Sequence, residues 1–183
     1  YAVWEQEAMA ETHTRELAFW REALTDAAPL VLPTDRPRPD RPSSFASGSS
    51  RREISGPWVD ELRMIAAEQG TSLFSALFAA FGAVLHRWSE CDDFLVATPA
   101  ADRDAEGLQT TMGPLLNEVC VRLQHHGNPS FVALVRRVRG TLADANTHRH
   151  VPFSRVAAAC EPVRAPHRKP LAQVEFVDHT FHD

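Results

Sequence analysis

Cysteine is scarce in this chain: three in 183 residues, Cys91, Cys120 and Cys160, far apart and with no CxxC pair. That excludes the paired-thiol signatures of structural zinc and of redox centres. An odd, scattered set also gives no disulfide framework, so a reducing cytoplasm is the expected setting. An excess of positive charge is missing too. Nineteen Lys and Arg against 24 Asp and Glu leave a formal charge of −5. The arginines form no basic stripe interleaved with aromatics, so no nucleic-acid partner is expected. No apolar run approaches membrane-spanning length and no signal peptide is visible, so no membrane association is expected either. There is no internal repeat and no low-complexity tract. The chain opens on Tyr1 rather than Met and is read as a piece of something longer. What is present, 44% hydrophobic and 23% charged residues, suits one compact domain or two pieces of a larger one. Such a length buries a core without staples.

Along the chain, residues 5–24 read as a helix, with Leu17, Trp20 and Leu24 at helical spacing, ended by Asp26-Ala-Ala-Pro29. Four prolines between positions 33 and 42 exclude helix and central strand. With the small polar residues that follow, they mark a connector and the best candidate boundary. Residues 50–55 (SRREIS) predict a short strand. Pro57 suits a first helical turn, Val59, Leu62, Ile65 and Ala66 make an apolar face, and Gly70 closes that helix. Thr71 or Ser72 caps the next helix. Its broad stripe from Leu73 to Trp88 predicts a mostly buried element. Residues 94–97 (FLVA) predict a buried strand ending at Pro99, and 100–111 a polar loop. Val119, Val121 and Leu123 share one strand face. Gly127-Asn-Pro129 is a turn, and Ser130 caps a helix facing inward through Phe131, Leu134, Val135, Val138 and Leu142. Pro152 starts a shorter helix to about Cys160, and 171–177 is the last strand candidate. This order of elements is α/β or α+β.

His125-His126 invites comparison with the acyl-transfer motif HHxxxDG. The positions of its Asp and Gly hold Ser130 and Phe131 here. Without them the pair reads as a solvated strand-to-helix turn.

Six blocks in order carry a resemblance. YAVW (1–4) resembles the end of YxDYAVW. LAFWREAL (17–24) followed by LPTDRPRP (32–39) is characteristic. ATPAADR (97–103) resembles GTPxxxR, and MGPLLNEVCVR (112–122) resembles IGxFVNTxxxR. HRHVPF (148–153) resembles HQDxPF, and RKPLAQVEF (168–176) resembles RxPLFQVxF. Together they resemble the condensation domains of nonribosomal peptide synthetases, within the chloramphenicol-acetyltransferase-like superfamily. The resemblance implies an α/β fold of α+β sandwich type, a half-domain whose mixed sheet is flanked by helices. Residues 1–25 would then be the terminal helix of the N-terminal half, 26–49 the proline-rich linker, and 50–183 an incomplete C-terminal half. HHxxxDG lies upstream of YAVW in the family, so no catalytic residue is expected in this chain, and the fragment alone is expected to be inactive.

The activity implied is amide formation between carrier-bound acyl and aminoacyl thioesters. The amine must be neutral and aimed, and the oxyanion stabilised. The substrates hang on phosphopantetheine arms entering a tunnel between the halves, with no cofactor bound directly. The implied partners are the N-terminal half and the upstream and downstream carrier domains. Arg103 aligns with the Arg of GTPxxxR, implied to pair with the Asp of the absent motif, a buried pair whose breakage costs about 3–5 kcal/mol. From its surroundings alone it is a solvated loop arginine. Asn117 would bind a substrate carbonyl or brace a loop; Gly113 would supply an unusual backbone turn. Arg122 ends its block and otherwise reads as a surface ion pair. The sequence departs from the pattern at Glu118, where the family has Thr, and at Arg149-His150, where it has Gln-Asp. His148 and His150 lack a third ligand, so no metal is expected; Pro152 completes that block with its role open. These departures keep alternatives in view: a non-catalytic docking platform recruiting a tailoring enzyme, an epimerisation domain, or a stand-alone acyltransferase.

Overall fold

The computed structural model describes residues 10–36, 47–101, 103, 107–113, 115–161 and 168–179. The expected N-terminal helix is seen as α1 (Ala10–Leu24); residues 5–9 of the expectation, the YAVW block and residues 37–46 of the connector lie outside the described residues. α2 (Pro57–Glu68) opens on its proline, which lacks only an N–H the first turn would leave unpaired. Gly70, at φ 61°, reverses the chain into α3 (Leu73–Ser89). Of the two cap candidates Ser72 serves, its Oγ accepting the Ser75 N–H. Ser130 does the same for Ala133 at the start of α4 (Phe131–Thr147), and Pro152 precedes α5 (Phe153–Cys160).

Between α3 and α4 run β1 (Asp93–Ala101) and β2 (Leu116–Gln124), antiparallel, with Phe94 opposite Leu123 and Ala101 opposite Leu116. β1 does not end at Pro99 as expected. The Ala97 N–H donates to Val174 O at 2.9 Å, away from β2. Two residues on, Pro99 has the same orientation, so its missing N–H costs the β1–β2 ladder nothing. The last expected strand reduces to one parallel bridge, Ala97 to Glu175, anchored instead by Phe176, whose ring lies 5.2–5.5 Å from those of Phe74, Phe78 and Phe81. The strand expected at 50–55 does not form. Those residues are exposed and pair with no strand among the described residues, so their β-favouring composition has no sheet edge there to act on.

Alternation along β2 sorts the helices into two layers. Leu123 points at Gly82 of α3, while Arg122 reaches the end of α1. So α3, with α2 and α4 packed on it, covers one face, and the packed pair α1 and α5 the other. β1 is covered on both sides and buried from Phe94 to Thr98. Phe78, Phe94, Val96, Val121 and Val135 are each under 2% exposed, and such side chains contribute about 1.5–3 kcal/mol apiece on burial. Trp20 and Leu24 of α1 and Leu30 of the connector belong to this same core. α3 is buried only toward the sheet: Phe78 and Leu85 are inside, but Val84 and Trp88 at its far end are exposed, narrower burial than its apolar stripe predicts.

Candidate functional site

At the open end of the sheet, Asn117 binds two segments together. Its Nδ2 donates to Arg149 O and Val151 O, each at 2.6 Å, and its Oδ1 accepts from the N–H of Glu118 and of Phe153 at 2.9 and 3.0 Å. These four bonds use all four hydrogen-bonding positions of the amide. Of the two roles expected of Asn117, the geometry is that of a brace, holding residues 149–153 against β2. None of its capacity remains for a substrate carbonyl.

Arg103 gathers the loop that precedes β2. Nη1 donates to Leu108 O and Thr111 O at 3.0 and 2.8 Å, and Nη2 to Gly113 O at 3.0 Å. It is therefore not the purely solvated arginine its surroundings suggest. Gly113 sits at φ 151°, a conformation that only glycine adopts freely. Arg103 and Gly113 thus form one unit next to Asn117.

Glu118 does not simply face water. Its Oε2 pairs with Lys169 Nζ at 2.6 Å, tying β2 to the RKPLAQVEF block, and its Oε1 is buried without a partner. Lys169 also meets Glu175 at 3.4 Å. Burial works against the ammonium, but the hydrogen bonds and charges of Glu118 and Glu175 together outweigh it and its pKa is raised. Burial pushes the neighbouring Cys120 thiol up to about 12, so that cysteine is inert.

Arg122 lies at the other end of β2, away from Asn117. It forms a fork onto Asp93 with two bonds of 2.7 Å, and its Nη1 caps α1 through Ala23 O and Thr25 O at 3.0 and 2.9 Å. Burial opposes the Asp93 carboxylate, but the Arg122 and Gln124 hydrogen bonds and the charges of Arg122 and His126 together prevail and its pKa is lowered. This is a part-buried structural clamp on α1 rather than a surface pair.

The HRHVPF block is an architectural turn. His148 ends α4, stacks on Phe19 at 3.9 Å, and accepts the Trp20 indole N–H at its carbonyl. His150 is half-buried beside it. Pro152 accepts from Arg155 N–H at 2.8 Å and launches α5. Arg149, which the motif reading treats only as a departure, is 7% exposed and donates to Ala101 O and Asn146 O at 3.0 and 2.7 Å. Among the described residues no group of three or more His, Cys, Asp or Glu is placed to hold a metal.

His125 corrects the solvated-turn expectation. His126 is exposed, but His125 is 5% exposed, stacked between His86 at 4.6 Å and Phe94 at 5.5 Å, and neither ring nitrogen has a partner. Burial, then the neighbouring His86, lowers its pKa to about 4. A Cβ at Gly82 would lie 3.6 Å from His125 Cε1, an ordinary contact, so the ring packs against α3 without needing that glycine. No local spacing in the sequence marks the burial of His125.

Comparison with known proteins supplies the context for these residues. The Condensation domain family profile matches residues 1–181. Enniatin synthase of Fusarium equiseti is 38% identical over 185 residues, covering 100% of this chain and 6% of the synthase. Beauvericin nonribosomal cyclodepsipeptide synthetase of Beauveria bassiana is 36% identical over 184 residues, covering 98% of this chain and 6% of that synthetase. The chain therefore spans a small fraction of the length of these relatives. Among solved structures, the X-domain from teicoplanin biosynthesis in its complex with OxyB superposes with a TM-score of 0.85 at 28% identity, over 96% of this chain and 40% of that one. A four-domain nonribosomal peptide synthetase bound to AMP and glycine gives 0.81 at 28% identity, over 88% of this chain and 12% of that one.

Proposed function

The chain belongs to the condensation domain family, and from that premise we propose that it comprises the terminal helix of the N-terminal half, the linker and most of the C-terminal half of an amide-forming condensation domain in a peptide synthetase. The observation that carries this reading is the family match over residues 1–181, with relatives that are themselves synthetases. In the reaction proposed, the amine of an aminoacyl thioester on a downstream carrier attacks the acyl thioester on an upstream carrier. A C–N bond forms, the C–S bond breaks, and the donor's thiol is released. Both substrates ride on phosphopantetheine, and the setting is cytoplasmic.

In this reading the residues act by positioning. Arg103, already holding the 107–113 loop through its Nη atoms, presents the remainder of its guanidinium to the Asp of HHxxxDG. Asn117 keeps residues 149–153 in register with β2, and so fixes the tunnel wall. Glu118, neutralised by Lys169, is part of that wall, and Gly113 gives the turn that leads into it.

The likeness to the teicoplanin X-domain favours a second reading, a platform that recruits a tailoring enzyme and forms no amide. One experiment separates the two. The parent polypeptide, with both flanking carriers loaded, is assayed by mass spectrometry for amide on the downstream carrier. Product that disappears when the second histidine of HHxxxDG is replaced supports condensation. Absence of product across matched substrate pairs, with both carriers loaded, transfers the case to the platform.

A further inference from the structure

At the end of the sheet away from Asn117, between the last turns of α3 and the first turn of α4, lies a cavity of ≈ 430 Å³. That is within the range of small-ligand sites, about 300–1,000 Å³. Seven residues of β2 separate Gln124 at this end from Asn117, roughly 23 Å at about 3.3 Å per residue. Beyond Gln124 the His125 N–H closes the ladder on Asp92 O at 2.7 Å, and the His125 ring forms part of the cavity wall. That ring is 5% exposed, and neither nitrogen has a hydrogen-bond partner or contact with solvent. Burial, then the neighbouring His86, holds its pKa to about 4, so the ring is neutral at physiological pH, with one N–H to donate. A buried donor without a partner costs free energy that a ligand would recover.

The rest of the lining sets the charge and shape that fit. Arg87, in the last turn of α3, is exposed and makes no ion pair or hydrogen bond among the described residues. No acidic side chain lines the cavity; Asp92, which faces His86 Nδ1 at 3.5 Å and His126 Nδ1 at 3.8 Å, is not part of its wall. Pro129 and Phe131 bring the N-terminus of α4 to the cavity. There Ser130 takes the Ala133 N–H, and those of Phe131 and Val132 have no partner among the described residues. One free cation, one helix end and a neutral imidazole donor match a single negative charge. The apolar walls, Val84, Phe131 and Leu134, match a small hydrocarbon body. We propose that this cavity binds a small organic monocarboxylate. Its carboxylate pairs with Arg87 and accepts from His125 and the first N–H groups of α4, and its body lies against the apolar walls. A half-turn of the His125 ring about Cβ–Cγ exchanges nitrogens with carbons and keeps the stack on His86, so an N–H reaches the ligand without loss of packing. No residue assigned to amide formation takes part, so failure of this site would leave the condensation reading intact.

Benzoate serves as the probe, titrated by calorimetry into the intact parent polypeptide, with benzamide and inorganic phosphate in parallel. Saturable benzoate binding is expected. Benzamide, which lacks the charge, is expected to bind about tenfold more weakly, and phosphate, which lacks the apolar body, to bind more weakly as well. Arg87→Gln removes the cation at an exposed position and is expected to weaken benzoate about tenfold with the fold intact. His125→Phe keeps an aromatic ring in the stack, removes both nitrogens and is expected to cost a similar factor, about tenfold. Arg87→Gln keeps the test decisive if the His125 variant fails to fold. No saturable benzoate binding, benzamide or phosphate bound as tightly as benzoate, or affinity unchanged in Arg87→Gln or in folded His125→Phe would each overturn the proposal.

Discussion

Every hydrogen-bonding position of the Asn117 amide is taken by backbone, and this makes the residue's contribution measurable apart from any reaction. Asn117→Ala leaves two part-buried N–H groups and two carbonyls without that partner. It is expected to destabilise the parent domain by about 3 kcal/mol, read by chemical denaturation; a loss under about 0.5 kcal/mol would mean that water replaces the brace. His125 gives a prediction in pH. Its folded pKa, about 4, lies below the unfolded value near 6.5. Between those values the unfolded chain binds more protons, so stability rises with pH across that window and is lost as pH falls through it. The loss is on the order of 3 kcal/mol and is complete only below pH 4. His125→Leu, which removes both unpartnered nitrogens, is expected to flatten this acid limb; an unchanged slope in thermal melts from pH 4 to 7 would assign it to other groups.

At the scale of elements, α3 lies on β2 through a glycine. A Cβ at position 82 would come 2.6 Å from Leu123 Cδ1. Gly82→Ala gains about 1 kcal/mol of helix propensity but overpacks a buried contact costing about 1–3 kcal/mol. A net loss is expected in denaturant midpoints, with Leu123→Val in the same chain restoring part of it. Helices were the most legible elements in the sequence, because their signals are local. The Ser72 and Ser130 caps, Pro57 and the apolar spacing of α4 each act within a turn or two of themselves. Strand limits were less legible because they depend on what lies alongside. Pro99 stays in β1 only because its nitrogen faces away from β2, and residues 50–55 fail as a strand for want of a neighbour. The candidate site shows the same division. Motif positions singled out Arg103, Gly113 and Asn117, whereas the burial of Arg149 depends on the distant Ala101 carbonyl and that of His125 on stacking against His86 and Phe94, which spacing does not encode.

The molecule as a whole presents apolar side chains that a complete domain would be expected to cover. Met112 is 97% exposed and Leu116 64%, both at the Asn117 end of the sheet, and Trp58 and Trp88 are 67% and 66% exposed elsewhere. Residues 1–183 expressed alone are expected to self-associate, giving a concentration-dependent mass in light scattering; a monodisperse monomer at high concentration would show that this surface needs no cover. If these residues form one wall of an amide-forming site, single-turnover transfer in the intact parent polypeptide depends on them. With both carriers loaded, the wild type is expected to place the amide on the downstream carrier. Asn117→Ala is expected to slow that step at least tenfold while carrier loading is unchanged. Transfer at the wild-type rate in a folded Asn117→Ala domain, or no transfer in the wild type across matched substrate pairs, would contradict it.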